Sequence, residues 1–277
     1  MLGDGWHGSK IQEETQRLTK VKLHSTRRGS GPPVILLHGL FGSGNNLGAL
    51  ARSLESRYSV HSVDLPNHGR SEWLNDMALG DLSAALGHWM HHHQLQQAAV
   101  VGHSLGGKVA MQLALQSPSS VATAVVADIA PVAYAAHHDA VFAALDAVAA
   151  ARCTSRQQAE EIMAASLDDA GTIAFLLMSL QRCSDGAYGW RFNLEGLKLS
   201  YAAVRDAPAA HGPYTGPVLF IKGSESDYIL AQHRQAIQSL FPAAKLKVMQ
   251  GCGHWLHAQR PQLFNALVGR FLDEHYS

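Results

Sequence analysis

Three cysteines in 277 residues, Cys153, Cys183 and Cys252, are too few and too irregularly spaced to staple a fold. Their odd number and the lack of C-x-x-C spacing argue against a disulfide framework or a thiolate zinc site, and favour a reducing compartment. Charge is also scarce. Asp, Glu, Lys and Arg make up 16% of the chain, against roughly 25% in ordinary globular proteins. The 22 basic and 22 acidic side chains cancel, so no field of one sign favours nucleic acid or an anionic membrane surface. Long apolar runs are missing. The longest, Ala140 to Leu145, stops at Asp146, and residues 1–10 lack the apolar stretch of a signal peptide. The expectation is a soluble, cytoplasmic protein that meets small molecules, with no nucleic-acid or membrane partner. Its oligomeric state is not readable.

With 47% apolar residues, a chain of this length can bury one large core, with or without a modest insertion. Residues 1–14 read as a flexible extension, followed by an alternating, half-exposed antiparallel strand over 15–24. Val34-Ile35-Leu36-Leu37 is a short apolar run of the kind found in buried parallel strands. Helix over 46–56, strand over 58–63, helix over 78–93, strand over 97–101, helix over 107–115 and strand over 122–127 follow. Residues 131–213 then show only helical patterns, at 139–151, 155–167, 171–181 and 194–204. Alternation resumes with strand 216–221, helix 230–240, strand 245–249 and helix 261–272. This rhythm predicts an α/β fold, a mostly parallel sheet with helices on both faces. Its core is 15–130 plus 214–277, and 131–213 is a helical cap inserted over the sheet's carboxyl edge, where ligands bind in open α/β folds.

The richest local signal is Gly102-His103-Ser104-Leu105-Gly106, set between a buried strand and a helix. Strand, G-x-S-x-G and helix together make the context of a nucleophile elbow. Ser104 then needs a base, because an unactivated hydroxyl is a weak nucleophile at neutral pH. Gly251-Cys252-Gly253-His254-Trp255 follows the last strand and offers His254 on a glycine-flexed loop. His257, three residues on, reads as a solvated loop or first-turn residue. Two backbone donors should face the developing oxyanion: the N–H of Leu105, and one from the loop His38-Gly39-Leu40-Phe41-Gly42. Leu40 is the assignment, with Phe41 one residue away. Cys252 reads as a packed residue, since its nearest base is already claimed.

Beyond these signals stand Asn46-Leu47-Gly48, Asp64-Leu65-Pro66-Asn67-His68-Gly69-Arg70-Ser71, Gly107-Lys108, Asp128-Ile129-Ala130-Pro131, Trp190-Arg191-Phe192-Asn193 and Gly253-His254-Trp255. Together the motifs resemble the YbfF-type esterases of the α/β-hydrolase superfamily, from about residue 20 to the C-terminus. The D-I-A-P and W-R-F-N stretches are the particular marks of that branch. The resemblance implies a serine carboxylester hydrolase working through an acyl-enzyme on short to medium acyl esters, extending to acyl-CoA thioesters, without cofactor. Many proteins of this fold carry the triad acid after the strand that follows the cap. There the chain reads Gly223-Ser224-Glu225-Ser226-Asp227, which offers Asp227 and, more remotely, Glu225. The usual place, three residues after the glycine, is Ser226. The resembling branch instead implies Asp128, so the triad expected is Ser104, Asp128 and His254, with Asp227 the alternative acid.

His88 and His91-His92-His93 close a helix without a carboxylate at ligand spacing, and histidine suits the negative end of a helix dipole; no metal is expected. Competing readings are a C–C bond hydrolase or acyltransferase on the same triad, or a small-molecule receptor of slow turnover. Within the cap, Phe175, Leu176, Leu177, Met178, Trp190 and Phe192 could be pocket wall or cap core.

Overall fold

The computed structural model describes residues 21–276. The elements up to the nucleophile are β1 (Ser25–Arg28), β2 (Pro33–Leu37), α1 (Gly48–Leu54), β3 (Ser59–Val63), α2 (Leu79–His92) and β4 (Ala98–His103). Then come α3 (Leu105–Gln116) and β5 (Val121–Ala127). Residues 128–217 contribute α4 (Asp139–Ala151), α5 (Arg156–Ala164), α6 (Ala170–Met178), β6 (Leu180–Arg182), β7 (Tyr188–Trp190) and α7 (Leu194–Val204). The chain closes with β8 (Val218–Gly223), α8 (Arg234–Leu240), β9 (Ala244–Met249), α9 (Leu256–Gln259) and α10 (Pro261–His275). One sheet orders its strands β1-β3-β2-β4-β5-β8-β9. All its neighbours are parallel except β1, which runs antiparallel to β3.

The expected α/β class with a mostly parallel sheet is what forms. Alternation within the apolar strands explains the two helical layers. Ile35, Leu37, Val100, Val126 and Phe220 join a cluster with Leu82, Leu86 and Val109 from α2 and α3. Their neighbours Leu36, Val101, Val125 and Leu219 face Leu50, Phe264 and Val268 from α1 and α10. Strands buried on both faces must be apolar at successive positions, which is why these runs lack the polar alternation of a one-sided sheet.

Two expectations need correction. The antiparallel strand predicted over 15–24 falls mostly outside the described residues, as does the 1–14 extension. Within them the antiparallel edge strand is Ser25–Arg28, and residues 21–24 are not strand. The purely helical reading of 131–213 also fails. The predicted helix over 171–181 ends at Met178, and β6 and β7 pair as an antiparallel hairpin. Helix α6 is held at its start by the Asp169 carboxylate, which accepts from the amides of Gly171 and Thr172. Among the described residues no helix is long and apolar enough to cross a membrane.

The β4–α3 turn makes a sharp steric demand. A Cβ at Gly102 would sit 2.1 Å from the carbonyl oxygen of Gly106, and one at Gly106 would sit 2.3 Å from that of Leu37. Both obstacles are backbone, so relief requires moving the strand or the helix. Gly106→Ala is expected to lower stability by roughly 3 kcal/mol or more. Urea unfolding of the purified variant checks this, and an unchanged midpoint would refute it.

Candidate active site

Strand β4 ends in the turn that glycine permits, and Ser104 there takes φ 52° and ψ −117°. A non-glycine residue held in such a region stores on the order of 1–3 kcal/mol of backbone strain. The strain is maintained by neighbours: the Ser104 amide donates to Ala127 O at 2.9 Å, and Ser104 O accepts from Lys108 N at 3.0 Å. Leu105, opening α3, is buried, while Ser104 keeps partial exposure at a cavity wall.

On the adjacent strand, Asp128 follows the last residue of β5, also with positive φ, 53°. It is wholly buried. Its Oδ2 accepts from His254 Nδ1 at 2.8 Å and from the Ser226 hydroxyl, and its Oδ1 accepts from the Gly223 amide at 3.1 Å. The structure therefore brings Asp128 and His254 together, whereas Asp227 is exposed at the surface. Ser226, at the position where an acid is commonly sought, is buried and donates to that same carboxylate. Tyr228 stacks on the other side of the His254 ring, centroids 4.0 Å apart.

The loop after β2 is braced by two neutral histidines. His38 donates from Nδ1 to Gly39 O at 2.8 Å and accepts the Leu65 amide on Nε2 at 3.0 Å. His68 donates from Nδ1 to Pro66 O at 2.8 Å and accepts the Phe41 amide on Nε2 at 3.2 Å. The Phe41 amide is thereby engaged, while Leu40, Phe41 and Leu105 all line the cavity. The 64–71 loop is held by its own aspartate. Asp64 Oδ1 accepts from the Gly44 amide at 2.6 Å and Oδ2 from the Arg70 amide at 2.9 Å.

Two supports were not legible as such. His103, inside the G-x-S-x-G motif, is buried and donates from Nε2 to His254 O at 2.9 Å. His257 is not the solvated residue expected. It opens the short helix α9 region, is 8% exposed, and its ring centroid lies 4.4 Å from that of His103.

Ser104, Leu40, Leu105 and His254 line one cavity of about 390 Å³. The 128–217 excursion supplies much of its wall, including Phe175, Leu176 and Tyr201. Leu177, Trp190 and Phe192 are instead buried in the main hydrophobic cluster, Phe192 against Phe41 with ring centroids 5.3 Å apart, and Met178 is 54% exposed. Phe175 stacks on Trp255 at 4.0 Å, so the excursion touches the loop that carries the histidine.

A family model described as "Alpha/beta hydrolase family" matches residues 34–267. The chain belongs to that family. It is 37% identical over 246 residues to Esterase YbfF of Escherichia coli (strain K12), covering 87% of this chain and 93% of that protein. It is 36% identical over 249 residues to the sn-1-specific diacylglycerol lipase ABHD11 of Mus musculus, covering 87% and 81%. A solved structure titled "Marine microorganism esterase" superposes with a TM-score of 0.88 at 34% identity, over 91% of this chain and all of that one. The branch marked by the D-I-A-P and W-R-F-N stretches is the one these comparisons return.

Burial, reinforced by a neighbouring imidazole, pushes His68 down to about 3 and His257 to about 4. In the unfolded chain both rings take up a proton near 6.5. The unfolded state therefore binds more protons below that value, and stability falls as pH drops from about 6.5 toward 4. The expected loss is roughly 2 kcal/mol for each ring by about pH 5. Urea midpoints measured at neutral pH and near pH 5 test this; equal midpoints would contradict it.

Proposed function

We propose that this chain is a serine carboxylester hydrolase working through an acyl-enzyme, with Ser104, His254 and Asp128 as its triad. The observation that carries the reading is the 2.8 Å contact between His254 Nδ1 and a fully buried Asp128 carboxylate, beside the cavity that Ser104 and His254 share. With Nδ1–H held by Asp128, Nε2 is the unprotonated nitrogen and can accept the Ser104 proton as Oγ attacks the acyl carbonyl carbon. The tetrahedral oxyanion is held by the amides of Leu40 and Leu105, both at the cavity and the second at a helix N-terminus. His254 then returns the proton to the leaving oxygen or sulfur. Water, deprotonated by the same nitrogen, releases the acid and restores Ser104.

Residues 131–213 act as the cap in this reading. A cavity of about 390 Å³ lies toward the lower end of the roughly 300–1,000 Å³ typical of small-molecule sites. It is walled by Phe175, Leu176, Ile129 and Val141. Short and medium acyl groups fit this description, on oxygen esters or on CoA thioesters. An acyl-length series on both leaving groups distinguishes them. Efficient turnover of emulsified long-chain triglyceride with interfacial activation would contradict the size reading.

The nucleophile is tested by an organophosphonate probe, expected to label the peptide containing Ser104. Labelling that persists in Ser104→Ala would sink the assignment, and turnover in that variant should fall by on the order of 10³-fold or more. The acid is tested by paired amide substitutions. Asp128→Asn preserves shape but removes the charge that fixes the imidazole tautomer, so kcat should drop roughly 10⁴-fold. Asp227→Asn should change kcat by less than about threefold, as for an exposed loop carboxylate. The reverse pattern would transfer the role to Asp227.

A further inference from the structure

The nucleophile helix carries a buried lysine that the hydrolytic reaction does not use. Lys108, one turn after Ser104, is 3% exposed. Its ammonium has three protons to donate, and three backbone carbonyls receive them. Val132 O lies at 2.9 Å, Arg205 O at 2.6 Å, and Asp206 O completes the set. These carbonyls stand at the two ends of one excursion, Val132 where the chain has just left the sheet and Arg205-Asp206 where it is about to return. Four residues along the same helix face, Gln112, 1% exposed, makes a reciprocal pair with Ala209. Its Nε2 donates to Ala209 O and its Oε1 accepts from Ala209 N, each at 2.8 Å. The two ends are also tied to each other, since the Tyr134 amide donates to Arg205 O at 3.1 Å and the Arg205 guanidinium donates to Tyr134 O.

We propose that Lys108 and Gln112 form a clasp that fixes the cap to the nucleophile helix and thereby sets which acyl chains the cavity accepts, Lys108 being a positioning residue. The inference rests on the esterase reading and extends it to specificity. Carbonyls at the base of an inserted segment need donors, since burying one unpaired costs about 1–3 kcal/mol; Arg205 O is shared between the Tyr134 amide and Lys108, and Val132 O and Asp206 O are met by Lys108. A single ammonium answers three at once, and no neutral side chain of that length carries three donors. The clasp also reaches the reacting groups. Tyr134, whose ring lies 5.0 Å from the Lys108 ammonium, donates its hydroxyl to Tyr228 O at 2.5 Å. Tyr228 in turn stacks on His254. Because Phe175, Leu176 and Tyr201 of the cap form the cavity wall, a shift of the cap base alters the space for the acyl chain more than it alters the triad.

The test compares Lys108→Met and Gln112→Leu with the parent protein on p-nitrophenyl acetate and p-nitrophenyl octanoate. For Lys108→Met, KM for octanoate is expected to rise about tenfold and KM for acetate less than about threefold, with kcat falling less than KM rises. A parallel loss of kcat/KM on both esters, or no change on either, overturns the proposal. Where Lys108→Met fails to fold, Gln112→Leu, which keeps the ammonium, should show the same octanoate-selective rise at roughly threefold; a parallel change in that variant is equally fatal. Hydrogen exchange gives a reading independent of turnover. The amides of Tyr134 and Ala209 should exchange at least about tenfold faster in either folded variant, while those of β4 do not. Unchanged exchange at both positions overturns the clasp. A parent protein that turns over no ester would sink the esterase reading, and the exchange result would still decide the clasp.

Discussion

The buried carboxylate of Asp128 is the constraint around which the rest of the site is arranged. An ionised group removed from water is tolerated only when its lone pairs are met by donors. Here the three donors come from two segments: the Gly223 amide at the end of β8 with the Ser226 hydroxyl just beyond it, and the His254 imidazole after β9. Satisfying one anion therefore fixes two loops against β5. The Asp128 amide adds a fourth tie, donating to Ile221 O at 2.8 Å. Removing any one donor would leave the others holding an under-solvated charge, so the geometry is self-reinforcing.

That arrangement also explains where an acid is not needed. Strand β8 lies between β5 and β9, and the loop after it passes beneath the imidazole. A carboxylate on that loop could reach the histidine, but a second anion beside Asp128 would face like-charge repulsion in a poorly solvated place. A hydroxyl at Ser226 avoids this and supplies a proton to the carboxylate instead. Asp227, one position on in the same turn, is exposed to water.

Much of the site was legible in the sequence because local sterics wrote it there. The glycines at 102 and 106, the apolar strand before them and the glycine-flanked His254 each express a demand of the immediate backbone. The choice between Asp128 and Asp227 was not of that kind. Residue patterns place both at strand ends near the sheet's carboxyl edge, and only the register of β8 beside β5 decides which faces inward. The β6–β7 hairpin was missed because strands of three residues are too short to show a period. The available signal was Asp185-Gly186, a dipeptide favoured in tight hairpin connections, with Gly186 at φ 87°. His103 ends β4 and His257 lies in the single turn of α9, and a polar residue at such a place shows no burial in its spacing.

A chain this poor in charge makes those buried rings consequential. In the proposed reaction, the imidazolium formed when His254 takes the serine proton is stabilised chiefly by Asp128, in surroundings where charges are weakly screened. Any further cation nearby would raise the energy of that state. Among the surrounding histidines, four have a lowered affinity for a proton. His103 and His257 pack against His254's own segment, His138 lines the cavity, and His38 braces the oxyanion loop. Burial is the leading cause in each case and lowers the affinity of all four for a proton, to about 3 for His138 and about 4 for His257. Held neutral by burial, these four rings add no positive charge beside the His254–Asp128 pair.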